Sequence, residues 1–498
     1  MPRNDLPPEL ISHILSFLRS EPLAPYASVS KQWQAIIEKQ TFSSLKLDTT
    51  QLPELAQIVS PPRQQLLRQL ELKILLPEYP AEAREEVETN EDREQNSRAF
   101  TDAIRSLFRV LAAWREDCEA SLSLSIYARS PSDIRETPTD ERKKRRANPK
   151  DLLEWRFEGS YLQFLDPPET LPAVPVIGVF AAPGNQGLTS NRDIAPAAVS
   201  KILSRLPRMR EVQGRLSDDE RKDHSLRNKL RAEFADSLSL WPTSIEHLNL
   251  NYRGWPPMDP NFAPLVRSTP GSDALSIALH RLSQQLVTLT LSDIMIGSEL
   301  FWPPGSSTNP PPSWPKLTSY HLEYTMATPS GEWLFERDPR WVDTVWSREQ
   351  DVELRYPDPM IPAAQDRLKD SWRTKPVRPL MIEFYRTAST ATQYMPKLEK
   401  MLLHAQLDPG ARNDPDGVIL DAGHWFMYDR AQGHATWAGS GEFHLTEDIR
   451  EMWRGIARQH GNLVLRIRNE GYLECVLPEY YEEDQAWKED HGYSLWDD

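Results

Sequence analysis

The sequence of 498 residues holds only two cysteines, Cys118 and Cys475, far apart in the chain. So few cysteines exclude a disulfide framework or a cysteine-based zinc site, and they fit a reducing compartment. No stretch approaches the ~18 uninterrupted apolar residues that a membrane-crossing helix needs. Basic charge is in deficit: 58 Lys and Arg stand against 73 Asp and Glu, giving a net charge of −15 and a pI near 5.4. General binding to phosphate backbones is therefore disfavoured, which leaves only local basic patches. The segment Met1 to Asp5 lacks a basic stretch followed by an apolar run, so no secretory signal is expected. A soluble chain of the cytoplasm or nucleus follows as the expectation.

Catalytic signatures are missing too. There is no Gly-rich loop ending in Gly-Lys-Ser/Thr, and Gly184-Asn185-Gln186-Gly187 lacks the lysine and reads as a turn. Gly439-Ser440-Gly441 lacks the spacing of a nucleophile elbow and fits a hairpin turn. His424, His434 and His444 lie ten residues apart with no matching Cys or carboxylate cluster. That is no metal-ligand spacing, and they read as surface or hairpin histidines. Cys475 reads as an inert thiol in a buried strand. No catalytic residue, metal or cofactor is assigned, and a binding protein is expected rather than an enzyme.

What the chain does have is 43 prolines and many aromatics, with 16 Trp, 15 Tyr and 14 Phe. The aromatics argue for folded structure, and the prolines for short elements with many connections. The length suggests two or three domains. Residues 6–18 read LPPELISHILSFL. Pro7 and Pro8 suit a helix start, and Leu10, Ile11, Ile14, Leu15 and Leu18 recur at helical spacing. After Leu23, Ser30 is an N-cap for a second helix over Lys31 to Glu38, carrying Trp33, Ile36 and Ile37.

The elements Leu6-Pro7, Glu9-Leu10, Ile14, Leu18, Leu23 and Val29-Ser30-Lys31-Gln32-Trp33 resemble the F-box, all present in its order and spacing. The resemblance implies a three-helix unit over 1–48 that docks on a Skp1-type adaptor and, through it, on a cullin scaffold. It assigns the contact to Leu6, Pro7, Leu10, Ile14, Leu18, Leu23, Val29 and Trp33. Pro25 departs from the pattern and predicts a later start for the short middle helix. Some forty residues cannot bury a core alone, so surplus apolar surface here needs a partner.

From about residue 65 a unit recurs: apolar, two spacers, apolar, one spacer, apolar. It occurs at Leu67/Leu70/Leu72, Ile245/Leu248/Leu250, Leu286/Leu289/Leu291, Leu317/Tyr320/Leu322 and Leu398/Met401/Leu403. Trp241-Pro242, Trp314-Pro315-Lys316 and Met395-Pro396-Lys397 lead into three of these units. The pattern resembles leucine-rich-repeat strands, but its spacing is long and its asparagine is missing or displaced. Two readings stay open: an irregular leucine-rich-repeat-like α/β solenoid over 49–339, or a plain α/β domain with parallel strands. Helices are expected at Phe100 to Trp114, Ala195 to Leu206 and Ser217 to Ser237. Loops are expected at 78–98, 130–150 and 303–315. The basic run Lys143 to Arg146 reads either as an import signal or as a solvated loop.

Residues 340–498 read as a small Trp-rich α+β region with a repeat-like strand near 394–407. Leu380 to Thr387 reads as a strand or a helix end. A hairpin is expected across Arg430 to Gly433, a helix at Glu447 to Gln459, strands at Leu463 to Arg468 and Leu473 to Leu477, and a loosely held acidic tail from 479. The whole resembles a group of fungal F-box proteins sharing this F-box, the Leu70 to Tyr79 segment and a Trp-rich C-terminal domain. The expected fold is mixed α/β. The expected function is a ubiquitin-ligase substrate adaptor, or else a scaffold that uses its F-box for assembly only. The cargo surface is expected on the exposed face of the repeat strands and their loops, near Tyr252, Arg253, Trp255, Tyr320 and Tyr324, because aromatics and Arg suit interfaces.

Overall fold

A computed structural model describes residues 6–18, 23–114, 122–133, 156–157, 159–184, 191–218, 223–254, 256, 263–306, 310–337, 373–407, 423–439, 443–461 and 466–470. Outside them lie Cys118, Cys475, the basic run at 143–146, Trp255, most of 340–378, the Ser440-Gly441 turn, the 473–477 strand and the tail from 479.

Helix α1 (Pro8–Ser16) opens with proline at its first position and Glu9 in its first turn. A 3-10 helix (Ala24–Ser28) follows. Pro25 falls in its first turn, where a missing N–H costs nothing. In α2 (Lys31–Thr41) the Ser30 side chain accepts from the Trp33 N–H. Two short helices, α3 (Leu52–Ile58) and α4 (Pro61–Gln64), precede α5 (Asn90–Ala112). This last helix begins ten residues before Phe100. A capping box between Thr89 and Asp92 satisfies its first amides, so the second half of the expected 78–98 loop is helical. Then come α6 (Pro196–Leu203), α7 (His224–Ser237), α8 (Ala274–Ser283), α9 (Arg378–Thr392) and α10 (Glu447–Gln459). Helix α9 corrects the strand reading of Leu380 to Thr387: Met381, Phe384, Tyr385 and Ala388 bury one helical face. Helix α7 starts at the Asp223 N-cap, and Ser217 belongs to a strand instead.

The strands are β1 (Ser44–Asp48), β2 (Gln69–Leu75), β3 (Leu122–Arg129), β4 (Ile177–Ala182), β5 (Glu211–Ser217), β6 (His247–Arg253), β7 (Thr288–Ile294), β8 (Ser319–Tyr324), β9 (Phe335–Arg337), β10 (Arg373–Pro376), β11 (Lys400–Gln406), β12 (Gly423–Asp429), β13 (His434–Gly439) and β14 (Arg466–Glu470). β9 and β10 form a separate antiparallel ribbon. The other twelve make one sheet whose order follows the chain. β1 to β8 and β11 are parallel throughout; β12 runs antiparallel to β11 and β13, and β14 is parallel to β13. β11 pairs directly with β8, so the C-terminal region extends the sheet rather than forming a second one.

Each recurring apolar unit falls on a strand, and its alternate residues point into one core. Leu70, Leu72 and Ile74 do so on β2, as do Leu248, Leu250 and Tyr252 on β6. Burying such a side chain fully stabilises by about 2 kcal/mol. The inner faces of α3 and α5 to α10 complete the same core, from Leu52 to Ile456. The tryptophans of two lead-ins are built in alike. Trp241 Nε1 donates to Ser200 Oγ on α6 at 2.8 Å, and Trp314 Nε1 donates to Ser283 Oγ on α8 at 2.7 Å. A buried indole N–H needs an acceptor, and each takes it from a helix one strand earlier in the chain.

Candidate functional site

Helix α1 carries two apolar stripes. Ile11 and Leu15 are buried and pack with Ile37 of α2 into a small core separate from the main one. Leu18, Leu23, Tyr26, Ala27, Trp33 and Ile36 pack around it. The second stripe faces solvent. Leu10, Ile14 and Phe17 are 49%, 40% and 74% exposed, flanked by Leu6 at 44% and Val29 at 61%. Gln32 Nε2 donates to the Leu6 carbonyl at 2.8 Å and ties the start of α1 to α2. An apolar stripe this exposed, beside the small core of Ile11, Leu15 and Ile37, is a candidate partner surface.

Of the expected contact residues, Leu6, Pro7, Leu10, Ile14 and Val29 are on the surface. Leu18, Leu23 and Trp33 are partly buried against the module's own core. Phe17 was not among the expected residues although it is the most exposed of the stripe. Its spacing of i+3 from Ile14 and i+7 from Leu10 is the signal that identifies it.

The module joins the sheet without a spacer. Only Phe42 and Ser43 separate α2 from β1. The Ser43 carbonyl accepts from the amides of Arg68 and Gln69 at 2.9 and 3.0 Å. Arg63 donates to Glu38 at 2.8 Å and lies 4.5 Å over the Phe42 ring. The Arg63 guanidinium, then Gln34, hold the Glu38 carboxyl below its ordinary range.

The expected cargo surface is corrected. Tyr252, Tyr320 and Tyr324 are buried, with the same parity as the core leucines of their strands. Tyr252 stacks on Phe234 at 5.2 Å, Tyr320 on Phe301 at 5.6 Å, and Tyr324 lies 4.8 Å from Phe384. Burial pushes all three phenols above their ordinary range. Aromatic identity outweighed alternation in that expectation, yet alternation decides which face a strand residue takes. Arg253 has the opposite parity and is half-buried. The face opposite the helices is polar along its centre, with Gln213, Asn249, Thr290 and His321 in one cross-strand row and Arg215, Asn251 and Ser292 in the next.

The three evenly spaced histidines are not together. His444 is exposed and His434 half-buried, whereas His424 lies in the core against Phe335, Tyr385 and Phe443. His424 is thus neither a surface residue nor a turn residue. Burial pushes it down to about 3, and neither ring nitrogen has a hydrogen-bond partner. Arg430 to Gly433 does form the β12–β13 turn, closed by Gly433 at φ 63°. Gly184 turns at φ 62°, where a Cβ would meet the Arg215 carbonyl oxygen at 2.4 Å. Among the described residues no group of three His, Cys, Asp or Glu could hold a metal. None of the described helices is long and apolar enough to cross a membrane.

Two family models match the chain. An F-box-like model covers residues 4–43, and the Family of unknown function (DUF6546) covers residues 372–477. No curated protein matches. F-box domains generally bind Skp1, in F-box-mediated complexes. The second match spans β10 to β14 and includes β11 to β14, the strands that carry the large sheet beyond β8. The two-striped α1 thus lies inside an F-box-like segment, and α9 to β14 lie inside a segment of the DUF6546 type.

Proposed function

We propose that this chain is the substrate-recognition subunit of a Skp1–cullin–F-box ubiquitin ligase and supplies no catalytic residue. The observation that carries the reading is the solvent-facing stripe Leu10, Ile14 and Phe17, left over after Ile11, Leu15 and Ile37 have built the module's core. Covering such side chains favours association by about 2 kcal/mol each when burial is complete, less the entropy of docking. Through Skp1 the module would engage a cullin. The polar face of the leucine-rich-repeat-like sheet would hold a protein substrate by hydrogen bonds. The adaptor then acts by proximity, raising the effective concentration of a substrate lysine near the charged conjugating enzyme.

The test is co-purification of the full chain with Skp1 and cullin. Wild-type protein should retain both, and Leu10→Asp with Phe17→Asp should lose them with Tm unchanged. Folded wild-type protein that fails to bind Skp1 rejects the reading. Skp1 binding without cullin recruitment favours a scaffold that uses the F-box for assembly alone.

A further inference from the structure

At the carboxyl ends of β5, β6 and β7 three guanidinium groups converge on one carboxylate. Asp218 directly follows β5 and is fully buried. Arg267 Nη1 donates to its Oδ2 at 2.8 Å. Arg231 Nη1 and Arg227 Nε stand 3.7 Å from its oxygens, within ion-pair range but beyond hydrogen-bond reach. Arg231 is held elsewhere by Asp273, at 3.1 and 2.7 Å, and by the Met295 carbonyl at 2.7 Å. The side chains of Arg227, Arg231 and Arg267 are 8%, 5% and 1% exposed. Glu299 is buried nearby. Its Oε1 accepts from the Asp273 amide at 3.4 Å, and its carboxylate lies against Gly297.

The cluster leaves hydrogen-bonding capacity unused. Arg231 Nη1, Arg267 Nε, Arg267 Nη2 and Asp218 Oδ1 have no hydrogen-bond partner. Two of these atoms, Arg231 Nη1 and Arg267 Nη2, are terminal guanidinium nitrogens. Buried donors left unpaired cost free energy, so a site that gathers several is shaped for an acceptor. Burial lowers Arg267 to about 10, against the pull of Asp218 and with the push of Arg227 and Arg231.

We propose that this cluster seats a hydrogen-phosphate ion. The unpaired guanidinium N–H groups would donate to its oxygens, as arginines do to phosphate generally. Asp218 Oδ1 decides which oxyanion fits. A bare carboxylate oxygen repels a fully deprotonated anion but accepts a hydrogen bond from one that keeps a proton. Hydrogen phosphate carries that proton at neutral pH and sulfate does not. The slight exposure of the three arginines favours a small free ion over a phosphorylated side chain presented by another protein.

The test is thermal unfolding of the full-length protein in sodium phosphate, sulfate, chloride or O-phosphoserine at matched ionic strength and neutral pH. Phosphate should raise Tm saturably at low concentration, by about 3 °C at a hundredfold excess over Kd. Sulfate, chloride and O-phosphoserine should not, and Arg267→Gln should abolish the rise. Saturation separates this from the general stabilisation that such salts give at high concentration. Equal saturable rises with phosphate and sulfate overturn the proposal, as does no rise with phosphate. A rise with O-phosphoserine that matches phosphate overturns the free-ion assignment. If Arg267→Gln fails to fold, titration calorimetry of the wild type decides: one-site heat with phosphate and none with sulfate supports the seat, and no saturable heat rejects it.

Discussion

Leu10 and Ile11 are neighbours in sequence and opposites in environment: the first is half exposed, the second has no exposure. Truncating them should therefore separate folding from binding. Ile11→Ala removes a buried branched side chain and should destabilise the module by about 2–4 kcal/mol in chemical denaturation. Leu10→Ala should leave the unfolding curve in place and weaken Skp1 capture instead. His424 sets a second residue-scale behaviour. Its folded value is about 3, whereas an unfolded histidine titrates near 6.5. Below about pH 6.5 the unfolded chain takes a proton that the folded core refuses. The stability tied to a neutral His424 is full above that pH and falls as pH drops towards 3, by about 1.4 kcal/mol per unit. Burial, then His321 and His424, lower His404 to about 3 as well, so it adds in the same direction. Denaturant midpoints measured from pH 7.5 to 4.5 should decline for wild type and decline less for His424→Leu.

Among the elements, the repeated tie between a lead-in tryptophan and a helix serine gives the clearest prediction. Ser283→Ala strands the indole N–H of Trp314, which is fully buried, and should cost about 1–3 kcal/mol. Ser200→Ala should do the same through Trp241. Exposed Ser239 on the following turn, changed in the same way, should move the denaturant midpoint little. The strands β2, β6, β7, β8 and β11 were legible because each combines alternation with an apolar residue three positions ahead of it. β4 and β5 were not, since Gly178, Ala181, Gly214 and Arg215 dilute the alternation below notice. β3 alternates strictly, Leu122, Leu124, Ile126, Ala128, yet lacks the preceding anchor. The F-box-like segment was legible as a motif, but a motif does not tell an inward leucine from an outward one. That division between Ile11 and Leu10, and the inward turn of Trp33, depend on how α1 and α2 cross.

For the whole molecule, the sheet is one body although the family matches touch only its two ends. A chain ending at residue 371 would lose β11 to β14, α10, and α9, whose Phe384 covers Phe301 and Tyr324. It would present the unpaired edge of β8 beside an uncovered core. Such an edge recruits other strands. The truncated protein should aggregate or associate in size-exclusion chromatography where the full chain does not, and a soluble monomer would contradict the continuity of the sheet. The two-residue joint between α2 and β1 has a consequence for reach. Neighbouring strands lie ~4.8 Å apart and rotate by ~20° from one to the next. The sheet is in effect a graduated arm fixed at one end to the partner-binding helices. On the proposed adaptor function, the strand that a cargo gripped would set how far out, and at what angle, the cargo was held, and shifting the grip by one strand would re-aim it by one step without lengthening any tether.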